Sequence, residues 1–347
     1  MDNKITKRRF SDFMAYEWLM IIIVSVIAII VFELVYTVSA VRLTVGQEFK
    51  FYLDTSVSGD TTAIYELIQK DQTFSFDVLK VNSEKLDSQY NVLSTRLSIQ
   101  EGDVLFTDCK EPEQDAKDKT IKLKSMVDKH DGYSYNQMLK DAKSYLLDNF
   151  MVDGFIEKDL TLEKFDYGNL DTEKIEKVLR QRMKKDNRFR KEGQIKEGVN
   201  AEILRIRTLY EDVIKFDYLL SLEQSNPELF YKYTKYEQML EGVEKQEEVD
   251  LYQKLVDREV ADGRGDNVYA LRLGALTAFA TDQDKSNPSK YFTVNDEDDA
   301  KNVVLMVFNF RGYQPHLQYE CISFINAFVE DCSNIYDNVI SVISAKS

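Results

Sequence analysis

Apolar residues run almost unbroken through residues 18–41, WLMIIIVSVIAIIVFELVYTVSAV, with Glu33 as the one charge. A stretch of that length can cross about 30 Å of hydrocarbon as a helix. Beyond it the pattern shortens into periodic blocks. Phe49, Phe51 and Leu53 alternate with Lys50 and Tyr52, the period of a strand. Gly59 and Asp60 break that block, and Ile64, Leu67 and Ile68 then recur at helical spacing. Alternation returns at Phe74, Phe76 and Val78, helical spacing at Tyr90, Leu93 and Leu97. Glu101-Gly102 stops that helix ahead of the apolar run Val104, Leu105, Phe106. The order strand, helix, strand, helix, strand predicts helical crossovers and a parallel sheet built on residues 49–54, 74–81 and 104–106.

From about residue 134 to 261 the pattern becomes long, Glu- and Lys-rich helices. Ile175, Val178, Leu179 and Met183 form one stripe, and Ile203, Ile206, Leu209, Tyr210 and Val213 another. No alternation of strand strength stands out there. Residues 302–310, NVVLMVFNF, read as a buried strand; Pro315 opens a helix in which Leu317, Cys321, Phe324, Ile325, Phe328 and Cys332 share a face. The expected organisation is a cytoplasmic N-terminus (1–17), a transmembrane helix (18–41), an α/β lobe formed by 42–133 and 263–347, and a mainly helical section (134–262).

Composition narrows the function classes. With 44% apolar residues the chain can build a core, and 13 Gly with 4 Pro in 347 residues are few for an all-β sandwich. A net charge of −15 opposes a broad grip on phosphate, so nucleic acid is not an expected partner. Three cysteines and two histidines are too few for a zinc site. Cys321 and Cys332, eleven apart on one helix, would stand about 16 Å apart, beyond disulfide reach. Buried thiols are expected; any bridge would need Cys109.

Charge also orients the anchor. Lys4, Lys7, Arg8 and Arg9 precede it and Arg42 follows, so the positive-inside rule keeps the N-terminus cytoplasmic and puts everything after residue 41 outside. A cleaved signal peptide ending near Val38-Ser39-Ala40 is the competing reading, and it exports the same domain.

Ligands of open parallel sheets collect at the carboxyl ends of the strands. Asp54 and Thr55 follow the first predicted strand, and Thr107 and Asp108 end the third. If they form a site, they lie side by side, partly exposed in a concave region. The alternative is that Thr and Asp end strands as turn formers. Tyr133 heads an aromatic-dense stretch (Tyr135, Tyr145, Phe150, Phe155, Phe165, Tyr167), a platform for a ligand or ordinary core packing. The basic run from Arg180 to Lys191 could meet an anionic partner or form a solvated face. Arg264-Gly265-Asp266 matches an adhesion tripeptide, and a Gly-flanked turn explains it. Asp282, Asp284 and Ser286 begin like a calcium loop but lack its Gly and Glu, and the cluster 296–299 reads as an exposed acidic loop. No hydrolase, P-loop or zinc-protease motif occurs, so a binding module is expected rather than an enzyme, with no cofactor and no metal.

The segment order, with LSTRLSIQEGDVLFTD and VVLMVFNFRGYQPHLQYECISFINAFVED at its ends, resembles the extracytoplasmic solute-binding proteins of ABC importers. The likeness covers roughly residues 45–110 and 263–335. It implies an α/β, parallel-sheet lobe of solute-binding type, a small solute held near Asp54, Thr55, Thr107, Asp108 and Tyr133, and ABC permease subunits as partners. In this chain the section 134–262 would replace the second lobe by helices. The alternative is a cell-surface interaction protein on the same scaffold without a transported ligand.

Overall fold

The computed structural model describes residues 7–39, 48–70, 78, 80–86, 93, 95–96, 102–109, 132–153, 160–184, 186, 188–233, 245–261, 267–282, 284–294, 300–308 and 319–346. The chain forms two compact units, Met1–Leu43 and Thr44–Ser347. In the first, α1 (Lys7–Ser39) is one unbroken helix. Its segment Trp18–Tyr36 has a mean hydropathy of 2.9 and no part of it is buried. At 1.5 Å per residue those 19 residues reach about 28 Å, close to the thickness of a bilayer's hydrocarbon. It is long and apolar enough to cross a membrane.

The second unit is α/β. In chain order its elements are β1 (Glu48–Leu53), β2 (Val57–Gly59), α2 (Thr61–Lys70), β3 (Lys80–Lys85), β4 (Val104–Asp108), β5 (Gly132–Tyr133), α3 (Tyr135–Phe150), α4 (Thr172–Met183), α5 (Glu192–Ser221), β6 (Phe230–Tyr233), α6 (Gln246–Ala261), β7 (Asn267–Arg272), β8 (Phe292–Val294), β9 (Val303–Phe308), α7 (Glu320–Cys332) and α8 (Asp337–Lys346). One sheet runs β3-β1-β4-β9-β7-β6, with β5 also paired to β9; β2 and β8 form a separate pair.

Strand β1 lies parallel to both β3 and β4, as the strand-helix-strand order predicts. The other half of the sheet is antiparallel: β9 opposes β4, β5 and β7, and β7 opposes β6. The sheet is therefore mixed, not parallel throughout. A run such as VVLMVF reports burial on both faces, but it carries no information on strand direction. Strand β6 falls inside the stretch that reads as mainly helical, and no strand alternation announced it. Its four residues, FYKY, are too short for alternation to stand out.

The second parallel strand lies at Lys80–Lys85, and residues 74–77 of the expected strand are outside the described residues. Its sequence, KVNSEK, has almost no apolar alternation because β3 is an edge, where charged side chains face water. Of the helix expected around Tyr90, Leu93 and Leu97, only Leu93, Thr95 and Arg96 are described, and they are helical.

Alternate strand residues feed two cores. On one face Phe49, Phe51 and Phe106 meet Phe324 and Phe328 of α7, with ring centroids 4.9 Å apart for Phe49–Phe324 and 5.7 Å for Phe106–Phe328. Tyr52, Leu105, Met306 and Phe308 form the other face's cluster. Just before β4, Gly102 has φ +106°, and a Cβ there would fall 2.3 Å from the Tyr52 ring. Only glycine tolerates both conditions, which explains Gly102 as the stop before the strand. Cys109, Cys321 and Cys332 are buried free thiols, and burial pushes the Cys332 thiol up to about 12.

Candidate functional site

The parallel register brings the ends of β1 and β4 together, as expected. The Asp54 amide donates to the Phe106 carbonyl at 3.0 Å. Thr107 donates its hydroxyl to one Asp54 carboxylate oxygen, and the Thr55 amide (2.6 Å) and hydroxyl (3.2 Å) donate to the other. Asp54 and Thr107 are both fully buried, Thr55 is exposed and Asp108 half-buried. The expectation of a partly exposed Thr107 is thus overturned. The carboxylate of Asp54 turns inward to hold two strand ends together, since burying it without donors would cost several kcal/mol.

Tyr133 lies elsewhere. It pairs with Val307, which opposes Val104 at the start of β4, whereas Thr107 opposes Val304. Three strand residues, about 10 Å, separate the two positions along β9. Tyr133 is buried and donates to Asp141, and burial first, then that carboxylate, hold its phenol above the ordinary range. Its neighbours Tyr135, Phe150 and Phe165 are buried and packed in the core, Tyr145 and Tyr167 are half-buried, and Phe155 lies outside the described residues.

A different set of residues faces open space. A cleft of about 820 Å³ is walled by α2, α5, α7, the end of α8 and the turn at Asp166–Gly168. Its floor is Asp212 of α5, which is buried. Ser323 donates to one Asp212 oxygen at 2.6 Å and Asn326 to the other at 3.1 Å, while Tyr336 donates to the Asn326 carbonyl oxygen at 2.6 Å. Lys215 bonds Glu330 across the cleft. Burial raises the Asp212 carboxyl above the usual range, partly opposed by Lys215 and the donors. Burial also pushes Glu211 up to about 7, with Asp212 and Glu330 adding to the rise and Lys215 opposing it.

The arrangement supplies donors, acceptors and both signs of charge in a partly desolvated space, where polar contacts gain strength over those in water. It suits a small polar ligand. A carboxyl with a pKa near neutrality also exchanges its proton in the physiological range.

Three members of the basic run pair within the fold. Arg180 pairs with Glu176, Arg188 with Asp186, and Arg182 with Glu202. Glu202 is also held by Arg205 at 2.9 Å, and Arg205 reaches Glu320 of α7 at 3.2 Å, all three buried. This network ties α4, α5 and α7 together. Asp282 accepts from Asn334, which caps a turn; the residues 264–266, 296–299 and Pro315 lie outside the described residues. Among the described residues no group of His, Cys, Asp and Glu could hold a metal ion.

Family models, curated proteins and solved structures include no match to this chain. One signal of the cleft was readable in sequence. In ECISFINAFVEDC, Ser323, Asn326 and Glu330 recur at helical spacing along a face distinct from the Phe324 and Phe328 face. Asp212 sits likewise beside the apolar stripe of α5. Neither pattern said that the two polar lines meet.

Proposed function

We propose that the chain is a membrane-tethered binding protein, with α1 as the anchor, the domain after residue 43 outside the cytoplasm, and a small polar ligand taken in the cleft between α5 and α7. An ABC importer, with permease subunits as partners, is the setting suggested by the sequence resemblance. The observation that carries the reading is the cleft itself, floored by a buried carboxylate whose donors come from a second helix. The parallel run β3-β1-β4 with α2 after β1 supports the resemblance. The orientation rests on the four basic residues that precede the apolar segment.

The full chain in detergent, challenged in thermal melts with sugars, amino acids, dipeptides and inorganic phosphate, should gain several degrees in Tm from at least one probe. Ala327→Trp, which fills the cleft from α7, should abolish the gain without lowering the basal Tm comparably. A second reading, a surface interaction protein without a transported ligand, is favoured by one observation: residues 44–347 form a single compact unit instead of two lobes around a gap. Failure of every probe would favour it. Protease added outside intact cells should digest the domain and leave the anchor fragment; a fully protected domain would reverse the orientation.

A further inference from the structure

Most charges around the cleft are already engaged. Lys215 bonds Glu330, Lys70 stands 3.7 Å from Asp331, and Lys346 donates to the carbonyls of Leu162 and Glu163. Asp212 is held by Ser323 and Asn326. Two groups of opposite sign make no ion pair among the described residues, although Lys215 acts on one of them, Glu211, through space. Arg207 is exposed and lies over the Tyr167 ring, 5.4 Å from its centroid, making no ion pair with a described carboxylate. Glu211 accepts no hydrogen bond from a described residue, and both side chains line the cleft.

Arg207 and Glu211 are one helical turn apart on α5, so their Cα positions are separated by about 6 Å. Such a pair often closes on itself; here the Tyr167 ring holds the guanidinium aside. A ligand that satisfies both must carry an anion and a cation a similar distance apart. The two ends of an extended dipeptide are about 7 Å apart, and its amide can meet Thr208, which also lines the cleft, to one side of the pair.

We propose that the cleft binds a small zwitterion of dipeptide size, its carboxylate on Arg207 and its ammonium on Glu211. The inference rests on the cleft being a ligand site and adds the ligand's class. Planar guanidinium donors match a carboxylate in pairs. The carboxylate of Glu211 must be ionised to hold an ammonium, and burial pushes it up to about 7. The groups around it are Asp212 and Lys215 on α5, Glu330 and Asp331 on α7, Lys70 on α2, Asp166 on the turn and Lys346 on α8. With Arg207 these are four carboxylates and four cations, so the surroundings nearly cancel and the ionised Glu211 itself supplies the charge that an ammonium would meet. Binding therefore releases protons near pH 7.

Calorimetry on the full chain in detergent tests this with Ala-Ala, N-acetyl-Ala-Ala and Ala-Ala amide. Ala-Ala should bind, each blocked form should bind at least 10-fold more weakly, and affinity should rise from pH 5.5 to pH 7, a window below the ligand's own ammonium pKa of about 8. Glu211→Gln and Arg207→Gln should each weaken Ala-Ala at least 10-fold, and Glu211→Gln should remove the pH dependence. Equal binding of the acetylated form, or no effect of Glu211→Gln, overturns the assignment. If Ala-Ala gives no heat while a sugar or phosphate still raises Tm, the zwitterion falls and the cleft survives; if nothing binds, both fall.

Discussion

Asp54 and Asp212 are two buried aspartates that each accept a hydroxyl hydrogen bond from a distant element, Asp54 from Thr107 and Asp212 from Ser323. At the end of β1 the carboxylate is closed in by its own turn and by β4. Between α5 and α7 the same kind of pairing borders open space, with Glu211, Lys215 and Glu330 beside it. The donor chemistry is nearly alike. What separates a structural lock from a candidate site is the room next to it: strands 4.8 Å apart leave none, whereas helices packed 8–10 Å apart with polar residues on the flank leave a groove.

That contrast can be broken most sharply at the sealed pair. Asp54→Ala strands the Thr107 hydroxyl and the Thr55 amide without an acceptor, and should cost about 3 kcal/mol of stability. Denaturant melts would show it, with ligand responses intact where a fold survives. A loss of cleft binding at unchanged stability would instead return the site to the strand ends.

A smaller effect belongs to the open region and depends on pH. The Glu211 carboxyl titrates at about 7 in the fold and near ~4.3 in an unfolded chain. Between these values the folded state holds the extra proton, so stability falls as pH rises through that window. Discounted for solvent screening, the change should be about 1 kcal/mol. Asp212 shifts in the same sense, while the raised Lys215 matters only in the alkaline range. Glu211→Gln should flatten the Tm profile between pH 5 and 7.5. An unchanged slope would assign the proton to another group.

The smallest effect is at Thr55, whose exposed hydroxyl adds a 3.2 Å bond to Asp54. Thr55→Val should change stability by less than about 0.5 kcal/mol and leave ligand binding unaltered. A larger loss of binding than of stability would mean that the exposed side of that turn contacts a ligand after all.

Much of the scaffold was legible because period reports burial. The alternation at Phe49–Leu53 and the stripe Ile64, Leu67 and Ile68 mark β1 and α2, and VLFTD marks β4. The edge strand KVNSEK was not legible, because a strand that faces water on its edge has no apolar period to read. The polar pair Asp54–Thr107 was foreseen as neighbours, since adjacent parallel strands must share an edge. Its burial was not, because a side chain's exposure depends on what packs over it.

The sequence alone determined the apolar helix, the acidic character, the absence of spacing for a disulfide within α7, and the parallel arrangement of β1 and β4. These follow from local composition and from chain connectivity, which act over a few residues or one crossover. Tertiary structure decided the direction of β9, the recruitment of FYKY into the sheet and the meeting of Asp212 with Ser323 and Asn326. Those pairings join positions more than a hundred residues apart for Asp212 and its donors. Periodicity says that a residue faces inward; only the packed chain decides which residue it finds there.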